Sequence, residues 1–351
     1  MRRKTLFIEA CLLAVMLISI PNVSAAETFN SGQKSAAAKP LKTCPANGKL
    51  KIVILSGQSN MVGFGQLKGE KGTMEAYVKS NPKDYGHLVD KSGRPVVRDD
   101  VWIVNLSHKG KEKMGWLTTG YGASDGHIGP EYGFGFSVGD YYEDPVLIIK
   151  SSWGGRSLYH NFLSPSSAEY PTPKKDGDMG FQYAEILRHV KKITGDLKKY
   201  YPHYTGKGHE IVGFGWHQGW NDRINQKAVD AYEKNMVNFV KDIRKDLGIK
   251  KLPFVIANTG MGGWDNPPRY KKKVEKLMDA QLALGNPKKY PEFKGNVAGV
   301  ETRDFQRTRE ESPSGQGFHW MRNWETFYLI GKSMGDAMVE LVSGNAPKGA
   351  N

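Results

Sequence analysis

A serine at Ser59 and a histidine at His319 bracket two polar turns, Trp153-Gly154-Gly155 and His217-Gln218-Gly219-Trp220-Asn221-Asp222. Hydroxyl, imidazole, amide and glycine N–H groups are the parts that ester cleavage requires. Serine alone is a weak nucleophile, and an imidazole within hydrogen-bond reach activates it by taking its proton. N–H donors must then face the oxygen on which negative charge develops. Ser59 and a glycine can supply backbone donors, and a side-chain amide can add another. The plainer reading of Ser59 is a helix cap. Taken alone, His319 would more often be a core or surface residue.

These residues need rigid supports, and the pattern around them provides strands. Lys51 to Leu55 is short, apolar and rich in β-branched residues, which reads as a buried strand. It ends in Ser56-Gly57-Gln58-Ser59-Asn60, where Gly57 permits a sharp turn. Buried-type strands are also expected at 145–150, 210–216, 252–257 and 296–302, with a shorter one at 101–106. Amphipathic helices are expected at 130–142, 181–200, the stretch ending at Leu247, 271–284 and 323–342. The segments 66–100, 110–129 and 164–180 read as loops. Strand–helix alternation predicts a three-layer α/β/α domain with a central parallel sheet of about five strands. In such sheets ligands bind beyond the carboxyl ends of the strands, where Ser59, Gly154-Gly155 and Gln218 to Asn221 would stand.

Composition limits the alternatives. The chain has 351 residues, 39% hydrophobic and 11% aromatic, enough for one large domain over 49–345. Arg2, Arg3 and Lys4, then an apolar run from Cys11 to Ile20, then Val23-Ser24-Ala25 read as a signal peptide over 1–25. Residues 26–48 read as a flexible leader. The product is therefore expected to be secreted or periplasmic, without a membrane span. Cleavage leaves Cys44 as the single cysteine, so no intramolecular disulfide is expected.

The formal charge is +14, but the lysines are scattered and carry no nucleic-acid recognition motif. A solvated basic surface, suited to acidic polysaccharide, is expected rather than a nucleic-acid site. No His-Glu-x-x-His occurs and the nine histidines are dispersed, so neither metal nor cofactor is expected. The absence of Gly-x-Ser-x-Gly argues against an α/β-hydrolase elbow.

The clusters, in this order and spacing, resemble the SGNH hydrolases, and more narrowly the sialate O-acetylesterase and carbohydrate esterase family 6 group. The resemblance runs over nearly all of 51–342. Gly57-Gln58-Ser59-Asn60-Met61 is similar to the block that carries the nucleophile. Lys150 to Gly155 with Ser157-Leu158 is similar to the second block, which implies a backbone donor at Gly155. Trp216 to Asp222 is similar to the third, which implies oxyanion donors at Asn221 and Gln218. His319 matches the catalytic histidine.

The resemblance implies an SGNH/flavodoxin-like fold and an esterase that removes O-acetyl groups from acetylated carbohydrate. Two departures stand out. Trp220 occupies a position often acidic in the carbohydrate esterases, and Gln316 replaces the aspartate usual three residues before the histidine. The acid is therefore expected from Glu301, with Asp304 as the alternative, or the pair works as a Ser–His dyad. Two rivals remain: a non-catalytic glycan-binding protein on an esterase fold, and a lipid or thioester hydrolase. The first predicts loss of Ser59 or His319, and both are present. The second wants an apolar cleft, whereas Trp116, Trp153, Tyr159 and Trp220 suggest surfaces for sugar stacking.

Overall fold

The computed structural model describes residues 48–344, apart from 109–110 and 266–267. The expected signal peptide, the leader up to residue 47 and Cys44 lie outside the described residues.

The first strand, β1 (Leu50–Gly57), carries Ile52, Val53, Ile54 and Leu55, none of them exposed. Successive side chains in a strand point to opposite faces. Ile52 and Ile54 accordingly enter one core and Val53 and Leu55 the other. A strand apolar on both faces belongs inside a sheet covered on both sides.

Around it run β2 (Gly65–Gln66), β3 (Arg98–His108), β4 (Lys111–Leu117), β5 (His127–Ile128), β6 (Val146–Ser152), β7 (His209–His217), β8 (Phe254–Ala257) and β9 (Val297–Val300). Seven of them form one sheet in the order β4-β3-β6-β1-β7-β8-β9, while β2 and β5 pair apart. All pairings in the large sheet are parallel except β3 with β4. The helices are α1 (Ser59–Val62), α2 (Met74–Ser80), α3 (Pro82–Tyr85), α4 (Glu131–Tyr141), α5 (Phe181–Gly195), α6 (Leu197–Tyr200), α7 (Gln226–Asp246), α8 (Pro268–Ala283) and α9 (Trp324–Ser343). Apolar residues of α5 to α8 fill one core, and those of α2, α3, α4 and α9 fill the other.

The three-layer α/β/α expectation holds, with seven strands rather than about five. The additional strand β4 lies in the stretch read as a glycine-rich connection. It is an edge strand, Lys-Glu-Lys-Met-Gly-Trp-Leu, paired on one side only, so it lacks the apolar run of a central strand. Short helices α2 and α3 occupy the segment read as loop. Thr73 starts α2 by accepting from Ala76 N. The helix expected over 181–200 breaks at Asp196, whose side chain caps α6. No helix among the described residues is long and apolar enough to cross a membrane.

The strand order fixes the site. β1 lies between β6 and β7, and Gly57 is in register with Ser152 on one side and His217 on the other. The chain therefore leaves three adjacent strands at one edge, where the sheet order reverses direction about β1.

Candidate active site

Ser59 follows β1 after one tight turn. Gly57 has φ +153°, and a Cβ there would lie 2.1 Å from His217 O, so the close approach of β1 to β7 requires glycine. Ser59 opens the four-residue α1 and is 8% exposed. Its backbone N–H is the first of that turn and has no partner among the described residues. Gln58 Nε2 lies 3.5 Å from Ser59 Oγ.

Gln58 joins the first turn to the third. Its Oε1 accepts from Gly219 N at 3.1 Å, Asn221 N at 3.0 Å and Gln218 Nε2 at 3.3 Å. Asp222 joins the third turn to the second. Its carboxylate accepts from Leu158 N at 3.0 Å, Tyr159 N at 2.9 Å and Gln218 Nε2 at 2.6 Å. Burial pushes the Asp222 carboxyl up to about 6, against the opposing effect of those hydrogen bonds. Behind this layer, Tyr232 OH and Gln281 Nε2 both donate to Gln218 O, at 2.8 and 2.6 Å. The two joining residues stand inside the sequence motifs, yet nothing in their spacing distinguishes them from neighbours that face a ligand.

These bonds separate the expected oxyanion donors. Gln218 is fully buried, and its amide N–H groups go to Asp222 Oδ2 and to Arg156 O at 2.9 Å. It has no N–H left for a substrate, which corrects that expectation: Gln218 organises the loops. Asn221 is half-buried; its backbone N–H is bound to Gln58, and its side-chain amide has no partner among the described residues. Gly155 has φ +64°, open space where a Cβ would stand, and an N–H without a partner among the described residues. Ser59 N, Gly155 N and the Asn221 amide are thus donors at this edge without a partner among the described residues.

Beneath Ser59 lies a fully buried ion pair. Lys150 Nζ is 2.6 Å from Glu131 Oε2, and it also donates to Val62 O and Tyr121 O, each at 2.8 Å. Glu131 Oε1 accepts from Gly129 N at 2.8 Å. Burial pulls the Lys150 ammonium below its usual range, although Glu131 opposes this. The pair anchors the end of α1, β6 and the start of α4 to one another. The sequence signal was present: a lysine inside the otherwise apolar run of β6.

His319 sits in the loop before α9. Asn60 Nδ2 donates to Phe318 O at 3.2 Å and lies 3.1 Å from Met261 Sδ, so the loops after β8 and before α9 both close onto the Ser59 turn. The His319 ring stacks on Phe64, centroids 3.8 Å apart and planes 9° from parallel. Its Nδ1 is buried without a hydrogen bond. Burial first, and then the positive charge of Arg322, lowers its pKa to about 4. No hydrogen bond joins it to Ser59; such bonds often tighten only in the substrate complex. Trp320, Met321 and Arg322 follow with φ of 50°, 54° and 57°, three consecutive left-handed residues without a glycine. Local strain of this kind persists only where the surroundings hold it. Here Met321 N is bonded to Gln316 O, Asn323 N to Trp320 O, and the Asn323 side chain caps α9.

The expected acids are not at His319. Glu301 pairs with Arg303 at 2.5 Å and accepts from Asn258 Nδ2 at 2.8 Å, and these partners hold its carboxyl below the usual range despite burial. Asp304 accepts from Trp264 Nε1 at 2.8 Å. Neither carboxylate is hydrogen-bonded to His319 in this structure. They lie at the end of a strand as expected, but an arginine and an indole, not the imidazole, take their oxygens. Gln316 Oε1 accepts from Arg322 Nε at 2.8 Å and does not orient His319 either. Of the aromatic residues expected to stack on sugars, Trp116 packs on Trp102 and His203 at the sheet edge and Trp153 on His189. Trp220 is covered by the Arg223 guanidinium 3.7 Å from its ring. Tyr159 is exposed, as are Trp264 and Phe318, which the motifs did not mark. No cluster among the described residues has the composition of a metal site.

Against known proteins, residues 49–311 match the family model described as carbohydrate esterase, sialic acid-specific acetylesterase. The match ends ahead of His319. A segment of 78 residues, 22% of this chain, is 31% identical to an Arabidopsis thaliana protein described as a probable carbohydrate esterase. That segment spans about a quarter (26%) of the relative's length. A solved structure of an Arabidopsis thaliana protein is 18% identical, with a TM-score of 0.49, over 83% of this chain and 98% of that one. A solved carbohydrate acetylesterase from Xanthomonas citri is 15% identical, with a TM-score of 0.48, over 84% of this chain and 57% of that one. With its matched span covering every strand of the sheet and three of the four motif clusters, the chain belongs to the carbohydrate esterase, sialic acid-specific acetylesterase family.

Proposed function

We propose that this protein is an exported serine esterase that removes O-acetyl groups from carbohydrate. The observation that carries the reading is the edge formed by β1, β6 and β7. That edge carries a serine and three N–H donors, on Ser59, Gly155 and Asn221, without partners among the described residues. Donors fixed in place cost no reorganisation when charge develops.

In this reading Ser59 Oγ attacks the acetyl carbonyl while His319, neutral because of its lowered pKa, takes the proton. The three donors receive the oxyanion, and the sugar hydroxyl leaves with the proton from His319. Water then repeats the sequence on the acetyl-enzyme and releases acetate. His319 works here without a carboxylate, as a dyad. The exposed rings of Tyr159 and Phe318 offer flat faces for sugar.

Ser59→Ala should reduce hydrolysis of an aryl acetate by about a thousandfold or more, with chelators without effect. Acetate release from acetylated xylan, acetylated sialic acid and acetylated algal polysaccharide then identifies the glycan. An Ser59→Ala variant with parental activity removes the reading. Export is tested separately, by sequencing the amino terminus of the native protein, which should begin near residue 26.

A further inference from the structure

The imidazole of His319 lies flat on the Phe64 ring, centroids 3.8 Å apart and planes 9° from parallel. Two neutral aromatic rings do not favour this arrangement. Each has a negative face, so pairs prefer an offset or edge-to-face geometry, with centroids about 4.5–7 Å apart. A near-parallel stack at shorter range suits a pair in which one ring is a cation, because the negative face of the other then attracts it. The contact is therefore matched to an imidazolium, the form His319 takes on accepting a proton.

The fold fixes this platform and ties it to the nucleophile. Gly63 N donates to Ser59 O at 2.9 Å, closing the turn that Ser59 opens, and Phe64 is the next residue. Gly63 O accepts from Ala123 N at 2.7 Å, and Gly65 pairs with Ile128 in the β2–β5 ribbon. Phe64 is thus held from both sides along the backbone. Phe318 meets the imidazole with centroids 4.5 Å apart and planes at 61°, and its carbonyl accepts from Asn60 Nδ2 at 3.2 Å. Serine turn, aromatic face and imidazole form one connected unit. The charged groups nearby give the imidazole no support. Its Nδ1 has no hydrogen bond, Glu301 and Asp304 are bonded elsewhere, and the neighbouring Arg322 is positive. Arg322 and His127 also meet the Phe64 ring, at 6.0 and 6.1 Å from its centroid.

We infer that Phe64 is a positioning residue for the base: its face holds the His319 imidazole in plane and stabilises the imidazolium that forms as Ser59 Oγ bonds to the acetyl carbon and passes its proton to His319. The ring face does part of what a carboxylate does in a Ser–His–acid triad. It attracts the cation but accepts no hydrogen bond from the ring nitrogen, so it sets plane and charge and leaves the tautomer free. Its stabilisation appears only once the proton has moved, so it lowers the barrier and not the affinity for substrate. The inference rests on the esterase reading above and supplies the Ser–His dyad with a third member.

The test replaces Phe64, at that site alone, by phenylalanine carrying one, two or three ring fluorines. Fluorine draws electron density from the face and leaves shape nearly unchanged. On a neutral aryl acetate kcat should fall with each fluorine, by about tenfold across the series, while KM and the unfolding midpoint stay near parental. The acid limb of kcat/KM should move to lower pH in step, because the imidazolium loses support. Phe64→Leu should lower kcat by about tenfold, and Phe64→Trp, which restores a face, should recover most of it. A flat fluorine series overturns the inference. So does an acid limb that moves up towards about 6.5, the mark of a loosened and solvated imidazole. So does a fluorine dependence that persists in a His319→Ala background. Any of these beside Ser59-dependent hydrolysis would spare the esterase reading, whereas a parent without Ser59-dependent hydrolysis would remove both.

Discussion

Lys150 and Glu131 meet at 2.6 Å with neither side chain exposed, and the same ammonium holds the last carbonyl of the helix that Ser59 begins. Removing one partner of such a pair leaves an uncompensated buried charge, which costs about 3–5 kcal/mol. Lys150→Met should lower the stability measured by urea unfolding by that amount, and Lys150→Met/Glu131→Gln should lose less. A parental unfolding midpoint in Lys150→Met would show that the pair does not anchor the turn.

The two amides of the third turn should fail differently. On the proposed reading Asn221→Ala removes an oxyanion donor, and it should lower kcat by roughly 10²–10³ with an unchanged unfolding midpoint. Gln218→Ala strips partners from Asp222, Arg156 O and Gln58, and should cost about 1–3 kcal/mol of stability. Kinetics and urea unfolding on both variants check this. Identical behaviour of the two would contradict the separation of roles.

The acid limb of the rate profile follows from His319. Its proton affinity is lowered to about 4, so the imidazole is neutral, and able to act as a base, at every pH above that value. On a neutral aryl acetate, kcat/KM should stay nearly level down to about pH 5 and fall by half near 4. A midpoint near 6.5 would mean that the imidazole is solvated as in a free peptide.

Stability should also decline with acid. His189 and His217, like His319, are held near 4 by burial, whereas in the unfolded chain they would titrate near 6.5. Between those values the unfolded state binds more protons, so stability falls as pH drops from about 6.5 to about 4. Asp222 acts in the opposite sense, since its carboxyl, raised to about 6, holds a proton when folded that the unfolded chain releases. His87, also lowered by burial, joins these histidines, and Asp99, also raised, joins Asp222; four histidines against two carboxyls should leave a net loss. Urea unfolding across this range should show it, and His189→Gln should flatten the slope. An unchanged slope in that variant would refute the contribution assigned to His189.

The sheet was readable because its central strands are continuous apolar runs ended by small polar residues, and β1, β6 and β7 each end in a motif. The edge strand β4 was hidden by its lysines and glutamate, which interrupt the apolar run on a strand paired only once. Ser59, Gly155, Asn221 and His319 stand out by type and order as candidates. The roles of Gln58, Gln218 and Asp222 do not, since they depend on which amide faces inward. The acid was misplaced for a related reason. Glu301 has the right strand end, but Arg303, two residues on, takes its carboxylate, and a pairing so local leaves no trace in strand periodicity.

Gln58 and the Asn221 N–H that it accepts are 163 positions apart in the chain, and the strands bearing them come together only after two long crossovers. No early fragment can hold the whole site. A nascent or refolding chain that has docked β1 and β6 has its serine and Gly155 but leaves the Gln58 amide oxygen empty until β7 arrives. Regained hydrolysis should therefore lag behind regained helical signal, which makes catalytic activity a late clock for assembly of the whole sheet.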